Sequence, residues 1–167
     1  MNILVSMRMV ENTTYPETRD AISRDWCALF MQFGLTPILV PNALGDLSDY
    51  FDLGARGLLL TGGESMGPET APTPRDRTET KLLEGALARR MPIFGVCRGL
   101  QIINRFFGGR TSAALPGPHV GEHEVSVSGR GRFRINSYHN QGVLSEGLAE
   151  GMQAFALSDD GVVEALR

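Results

Sequence analysis

Residues 95–101 read GVCRGLQ, and the fold turns on what surrounds them. Before them lies the apolar run MPIF (91–94), and after them IINRFFGG (102–109). The spacing predicts a strand over 93–96, a turn at Cys97 and a helix over 98–107. A glycine two residues to either side of the thiol lets neighbouring backbone pass without Cβ clashes. A G-x-nucleophile-x-G turn of this kind holds a side chain exposed on a strained bend. The helix N-terminus beside it favours thiolate over thiol, and nearby N–H groups can point at a developing oxyanion. The pattern therefore suits nucleophilic attack on a carbonyl. The competing reading is a buried structural cysteine, which is the reading for Cys27, beside Trp26.

Working outward, Asn2–Ser6 (NILVS), Thr36–Val40 (TPILV) and Gly57–Leu60 (GLLL) read as further short strands. Residues 7–20 read as a polar segment with turn formers. Ile22, Trp26, Leu29, Phe30 and Phe33 recur at helical spacing, with Gly34 as the C′ residue. Thr73 and Pro74 read as N-cap and first helical residue. They open a helix whose apolar face is Leu82, Leu83, Ala86 and Leu87. Arg89 and Arg90 fall in its last turn and Pro92 marks its stop. Residues 64–74 are loop. Beyond Gly108-Gly109 the pattern alternates: 123–127 and 133–135 read as antiparallel strands around Ser128–Gly131. Residues 152–157 and 162–166 form a hairpin around Ser158-Asp159-Asp160-Gly161. Alternating strands and helices in the first 110 residues predict a parallel sheet covered on both faces. Ligands of such sheets bind at the strand carboxyl ends, where both Cys97 and the glycine turn Thr61-Gly62-Gly63 lie.

The 167 residues suffice for one compact domain with a core. The net charge of −3 and the lack of a dense Lys/Arg block argue against a nucleic-acid partner. No apolar run reaches the roughly 20 residues of a membrane span. Two cysteines and no signal-peptide pattern suggest a cytoplasmic protein with reduced thiols. No short-spaced Cys/His set suggests zinc, so neither a metal nor a cofactor is expected.

Taken together, the sequence resembles a class I glutamine amidotransferase-type domain in the γ-glutamyl hydrolase branch, peptidase family C26. The residues that carry the resemblance are Leu60–Gly63, Arg75-Asp76 with Glu79, Pro92–Gln101, Asn136–Gln141 and Ser158–Ala165, in that order along nearly the whole chain. Asn12, Tyr15-Pro16-Glu17, Arg19-Asp20 and Trp26 look closest to a narrower group, the hydrolases of γ-glutamyl-CDP-amidate.

The resemblance implies a three-layer, flavodoxin-like α/β fold. It would have a mostly parallel central sheet and a small antiparallel β region in the C-terminal part. It also implies roles. Cys97 would attack the γ-carbonyl of a γ-glutamyl amide, giving a thioester that water hydrolyses. The N–H groups of Arg98 and of Gly62 or Gly63 would form the oxyanion hole. Gln101 would help position the glutamyl group, and Asn136, Ser137, Tyr138 and His139 would line the same pocket. Arg98, Arg75 and Glu64 are the charged candidates for holding the glutamate termini. The partner is a small-molecule γ-glutamyl substrate; the oligomeric state is open, with a homodimer, the commonest assembly of soluble oligomers, as the candidate.

In the family, the base is a histidine beyond the final hairpin, followed two residues later by a glutamate. No His-x-Glu follows Glu164. The reading at this point is a single domain over 1–167 lacking its C-terminal end, with an unpaired, apolar sheet edge and a tendency to self-associate. A shortened homologue that only binds, or an enzyme using another base, are the alternatives. His119, His123 and His139 are the histidines present. His139 is the first choice as a substitute base, and His123-Glu124 is a dyad on paper. Other readings are a glutaminase subunit that delivers ammonia to a synthetase, and a thiol chaperone or protease. The last usually carries histidine directly after the cysteine, where Arg98 stands here. The leaving amine stays open: an amino acid, a polyamine or a nucleotide phosphoramidate.

Overall fold

The computed structural model describes residues 1–112, 115 and 119–167. The chain divides into two compact units, Met1–Ile102 and Ile103–Arg167.

In the first unit, β1 (Asn2–Ser6), β4 (Thr36–Val40), β5 (Leu58–Leu60) and β6 (Ile93–Gly95) form a wholly parallel sheet in the order β4-β1-β5-β6. Side chains alternate across a strand. Ile3 and Val5 of β1 accordingly join Leu59 and Phe30 in one buried cluster, with Ile22, Trp26, Leu35 and Val96 packed on it. Phe30 belongs to helix α1 (Arg24–Gln32), which starts at the N-cap Ser23. Gly34 takes a φ of 62° just past its end, the left-handed position that glycine fills most cheaply.

Helix α3 (Pro74–Ala88) packs on β5, with Leu82, Leu83 and Ala86 fully buried. Its start is a capping box: Asp76 N–H donates to Thr73 Oγ1 (3.1 Å), and Thr73 N–H donates back to Asp76 Oδ2 (2.8 Å). The short helix α2 (Ser48–Asp52) docks Phe51 on Gly85 of α3, where a Cβ would lie 2.3 Å from the ring.

Several expectations need correction. Residues 7–20 are not simply turn: β2 (Arg8–Glu11) and β3 (Thr18–Ala21) pair as a hairpin. Leu29, Phe33 and Leu87 are exposed rather than core-facing. Arg89 is the C-cap of α3 and Arg90, at φ 53°, lies beyond it, so neither occupies the last turn. Cys27 is exposed and not a buried structural thiol.

The second unit is an antiparallel sheet. Its strands are β7 (Val120–Val127), β8 (Gly131–Tyr138), β9 (Val143–Leu144), β10 (Ala154–Ser158) and β11 (Val162–Leu166), in the order β8-β7-β10-β11-β9. Buried Asn104, from helix α4 (Arg98–Phe106), ties its loops together. Asn104 Nδ2 donates to the Gly147 carbonyl (3.0 Å), and Ala149 N–H donates to Asn104 Oδ1 (2.8 Å). The parallel sheet and the antiparallel C-terminal region are both as expected. Among the described residues, no helix is long and apolar enough to cross a membrane.

Candidate functional site

Cys97 sits between β6 and α4 with φ 54°, a left-handed conformation that costs a non-glycine residue of order 1 kcal/mol. Three backbone hydrogen bonds close the bend: Gly99 N–H to the Val96 carbonyl (2.9 Å), and Leu100 and Gln101 N–H to the Cys97 carbonyl (3.0 and 3.2 Å). The bend is pressed against the end of β5. A Cβ on Gly99 would lie 2.2 Å from the Leu60 carbonyl oxygen, so only glycine fits there. A Cβ on Gly62 would lie 3.4 Å from Cys97 Cβ and 3.9 Å from Sγ. Two strand ends thus bring the thiol and the glycine turn side by side.

A buried ionic network holds this arrangement. Arg75 is fully buried on α3. Its guanidinium donates to the carbonyls of Thr61 (2.7 Å) and Gly62 (3.3 Å), to Glu64 (2.9 Å) and to Glu79 (2.9 Å). Thr61 is further fixed by Ser6, whose Oγ accepts from Thr61 N–H (3.0 Å) while Thr61 Oγ1 donates to the Ser6 carbonyl (2.9 Å). Arg98 donates to Glu79 and to Asp76 Oδ1 (2.5 Å). A planar fork of five donors suits such multidentate contacts in a buried site, where an unpaired charge would be costly. Burial pushes the Asp76 carboxyl upward. The Thr73 N–H and hydroxyl, Arg98 and the Gly67 N–H outweigh that and hold it below its ordinary value.

The side chains of Arg75 and Arg98 are therefore committed to the scaffold. They are corrected as candidates for holding a glutamate substrate, being 0 % and 1 % exposed. Glu64 is bound to Arg75 and also accepts from Met9 N–H (3.2 Å). Gly63 adopts φ 152° against the Arg75 guanidinium, where a Cβ would lie 2.5 Å from Nη1. Gln101 is buried one turn along α4.

Asn136, Ser137 and Tyr138 lie on β8, and His139 directly follows it. The pleat separates them: Ser137 is buried, whereas Asn136 and Tyr138 are exposed, Tyr138 to 75 %. These four residues do not share one face. The paper dyad of His123 with Glu124 is not formed. Glu124 is exposed and pairs with Arg132 (2.7 Å), while His123 lies 3.4 Å from Glu164. Adjacent residues on a strand point to opposite faces.

The peptidase C26 family model matches residues 2–127 and 118–167. The chain belongs to that family. Gamma-glutamyl-CDP-amidate hydrolase of Campylobacter jejuni subsp. jejuni serotype O:2 is 31% identical over 100% of this chain and 83% of its own length. Gamma-glutamyl-gamma-aminobutyrate hydrolase of Escherichia coli O157:H7 is 27% identical over 99% of this chain and 80% of its own. The crystal structure of a glutamine amidotransferase from Thermotoga maritima superposes with a TM-score of 0.69. It is 14% identical, covering 99% of this chain and 73% of that one, and shows the same fold. The fold class expected from the sequence, that of a class I glutamine amidotransferase domain, is the one found.

Asp76 and Glu79 had no role assigned from the sequence of this peptidase C26 chain. They were visible as matching residues. Their work, bracing the glycine turn and the cysteine bend, shows only once α3 is packed on β5.

Proposed function

We propose that the protein hydrolyses a γ-glutamyl amide with Cys97 as nucleophile. The observation that carries this reading is the left-handed Cys97 at the carboxyl end of β6, beside Gly62 at the end of β5. A residue is held in that conformation only where its surroundings enforce it, and such strain clusters at active sites.

The chemistry runs in two steps. The Cys97 sulfur adds to the γ-carbonyl carbon, and the N–H groups of Arg98 and of Gly62 or Gly63 receive the oxyanion. Collapse breaks the C–N bond, and the amine leaves carrying the proton that the Cys97 thiol gives up. Water then attacks the glutamyl thioester, releasing glutamate and the free thiol. Gln101 positions the glutamyl group. Family membership supports the γ-glutamyl substrate class. The relative that acts on γ-glutamyl-CDP-amidate makes a nucleotide phosphoramidate the first leaving group to test.

The test is glutamate release from γ-glutamyl-CDP-amidate, γ-glutamyl-γ-aminobutyrate and glutamine, with wild-type protein and Cys97→Ser. Release from at least one γ-glutamyl amide, abolished in Cys97→Ser, is expected. Release that persists in Cys97→Ser overturns the assignment of the nucleophile.

A further inference from the structure

We propose that His119, His123 and Glu164 form a binding site for a divalent transition-metal ion of the zinc class. The site belongs to the second unit.

His119 Nδ1 lies 3.2 Å from Glu164 Oε1, and His123 Nε2 lies 3.4 Å from the same oxygen. One donor atom from each of the three residues falls within 4.8 Å of the others. Ligands about 2.0–2.1 Å from a tetrahedral zinc ion stand about 3.4 Å apart along each edge, close to the two distances to Glu164. All three donor atoms are buried, and among the described residues none meets hydrogen-bond geometry: their contacts are with one another and, for Glu164, with His139. A buried polar atom left in that state is costly, and three of them converging on one point call for a shared occupant.

The surroundings fit a ligand set. His119 Nε2 lies 2.9 Å from Asp160 Oδ2, and the Asp160 carboxylate can only accept. An ion at Nδ1 requires the His119 proton on Nε2, the tautomer that the Asp160 contact accommodates. A carboxylate fixing the far nitrogen of a histidine is the usual outer support of a metal ligand. Ser158 in turn donates to Asp160 Oδ1 (2.5 Å). His139 stacks on His119, with ring centroids 5.1 Å apart, and its Nε2 lies 3.5 Å from Glu164 Oε1. It is the nearest additional imidazole. Two histidines and one glutamate leave at least one coordination position open, and imidazole with carboxylate suits zinc among the common divalent ions.

The backbone explains the convergence. His119 and His123 are four residues apart at the start of β7, so their side chains fall on one face. Glu164 comes from β11, two strands away across β10. On β10, Ala156 and Leu157 are consecutive, yet they pair with Ala165 and Val163 of β11. Glu164 is thus the extra residue of a bulge, and bulges re-aim side chains. An ion there would staple β7 to β11.

The test is a titration of chelator-treated full-length protein with Co²⁺, followed by visible absorption, with Zn²⁺ as competitor. Saturation at one equivalent, d–d bands without sulfur charge transfer and displacement by Zn²⁺ are expected. The spectrum should be unchanged in a Cys27→Ser, Cys97→Ser double variant. It should be lost in His123→Ala, a partly exposed position, and affinity should fall about 10–100-fold in Asp160→Asn. Circular dichroism identifies the variants that keep the fold. Absence of saturable binding to the folded wild type overturns the proposal. So does binding that survives His123→Ala or disappears with the cysteines.

Discussion

Arg98 Nη2 lies 2.5 Å from Asp76 Oδ1, and each side chain is only 2 % exposed. The residue that follows the cysteine in sequence is thereby anchored to α3. Removing Asp76 leaves Arg98 with Glu79 as its carboxylate partner and takes the acceptor from the Thr73 and Gly67 N–H groups, a loss that costs about 1–3 kcal/mol. Asp76→Ala should therefore lower the melting temperature by about 2–12 °C, at roughly 2–4 °C per kcal/mol for a chain of this size. A thermal melt checks it, and a shift near zero would mean that the pair contributes no such anchoring.

The same carboxyl sets a pH dependence. Its folded-state value is held below the ordinary 3.8. A depressed carboxyl contributes stability that is fully present above its unfolded value and is lost as pH falls through the folded one. Wild-type stability should thus decline on acidification below about pH 4, more steeply than that of Asp76→Asn. Urea midpoints across that range measure the difference, and parallel curves would contradict it.

Gly99→Ala tests the contact between the bend and β5. The new Cβ would lie 2.2 Å from the Leu60 carbonyl oxygen, so backbone must move. Overpacking of this kind costs about 1–3 kcal/mol, occasionally more. Denaturant unfolding should show that loss, together with a drop in Cys97 reactivity as the bend shifts. An unperturbed variant would mean that the two strand ends are not in tight contact.

Thr73→Ala removes the side-chain half of the α3 capping box. Loss of such a cap costs about 1 kcal/mol. Asp76 keeps its hydrogen bond from Gly67 N–H (3.0 Å), so Thr73→Ala should be milder than Asp76→Ala when both are melted side by side.

The parts of the fold that were legible in the sequence are those written in apolar pattern and punctuation. β1, β4 and β5 are short runs of Leu, Ile and Val, and the Thr73-Pro74 start of α3 is a cap signal. The β2–β3 hairpin was hidden because its strands are polar and largely exposed, held in part by Arg19 donating to Tyr15 Oη and Glu17 (both 2.7 Å). α2 is five residues long with one buried aromatic, too short for periodicity to speak. On α3 the misassignment of Leu87 has a physical cause. That helix also buries Arg75, Asp76 and Glu79, and a face lined with charge gives no hydrophobic stripe. At the candidate site, the Cys97 bend and Gly62 were readable from their glycines. The division of Asn136 to His139 between two faces of β8 was not, nor was the approach of Glu164 to His119 and His123, which depends on a bulge two strands away.

A γ-glutamyl pocket around Cys97 is tested by the intact mass of the protein after incubation with 6-diazo-5-oxo-norleucine, a glutamine-like electrophile, with Cys97→Ser in parallel. A single adduct is expected, mapped to Cys97 and absent from the variant, with exposed Cys27 left unmodified. No adduct on the folded protein, or one carried by Cys27 alone, would contradict a γ-glutamyl pocket built around Cys97.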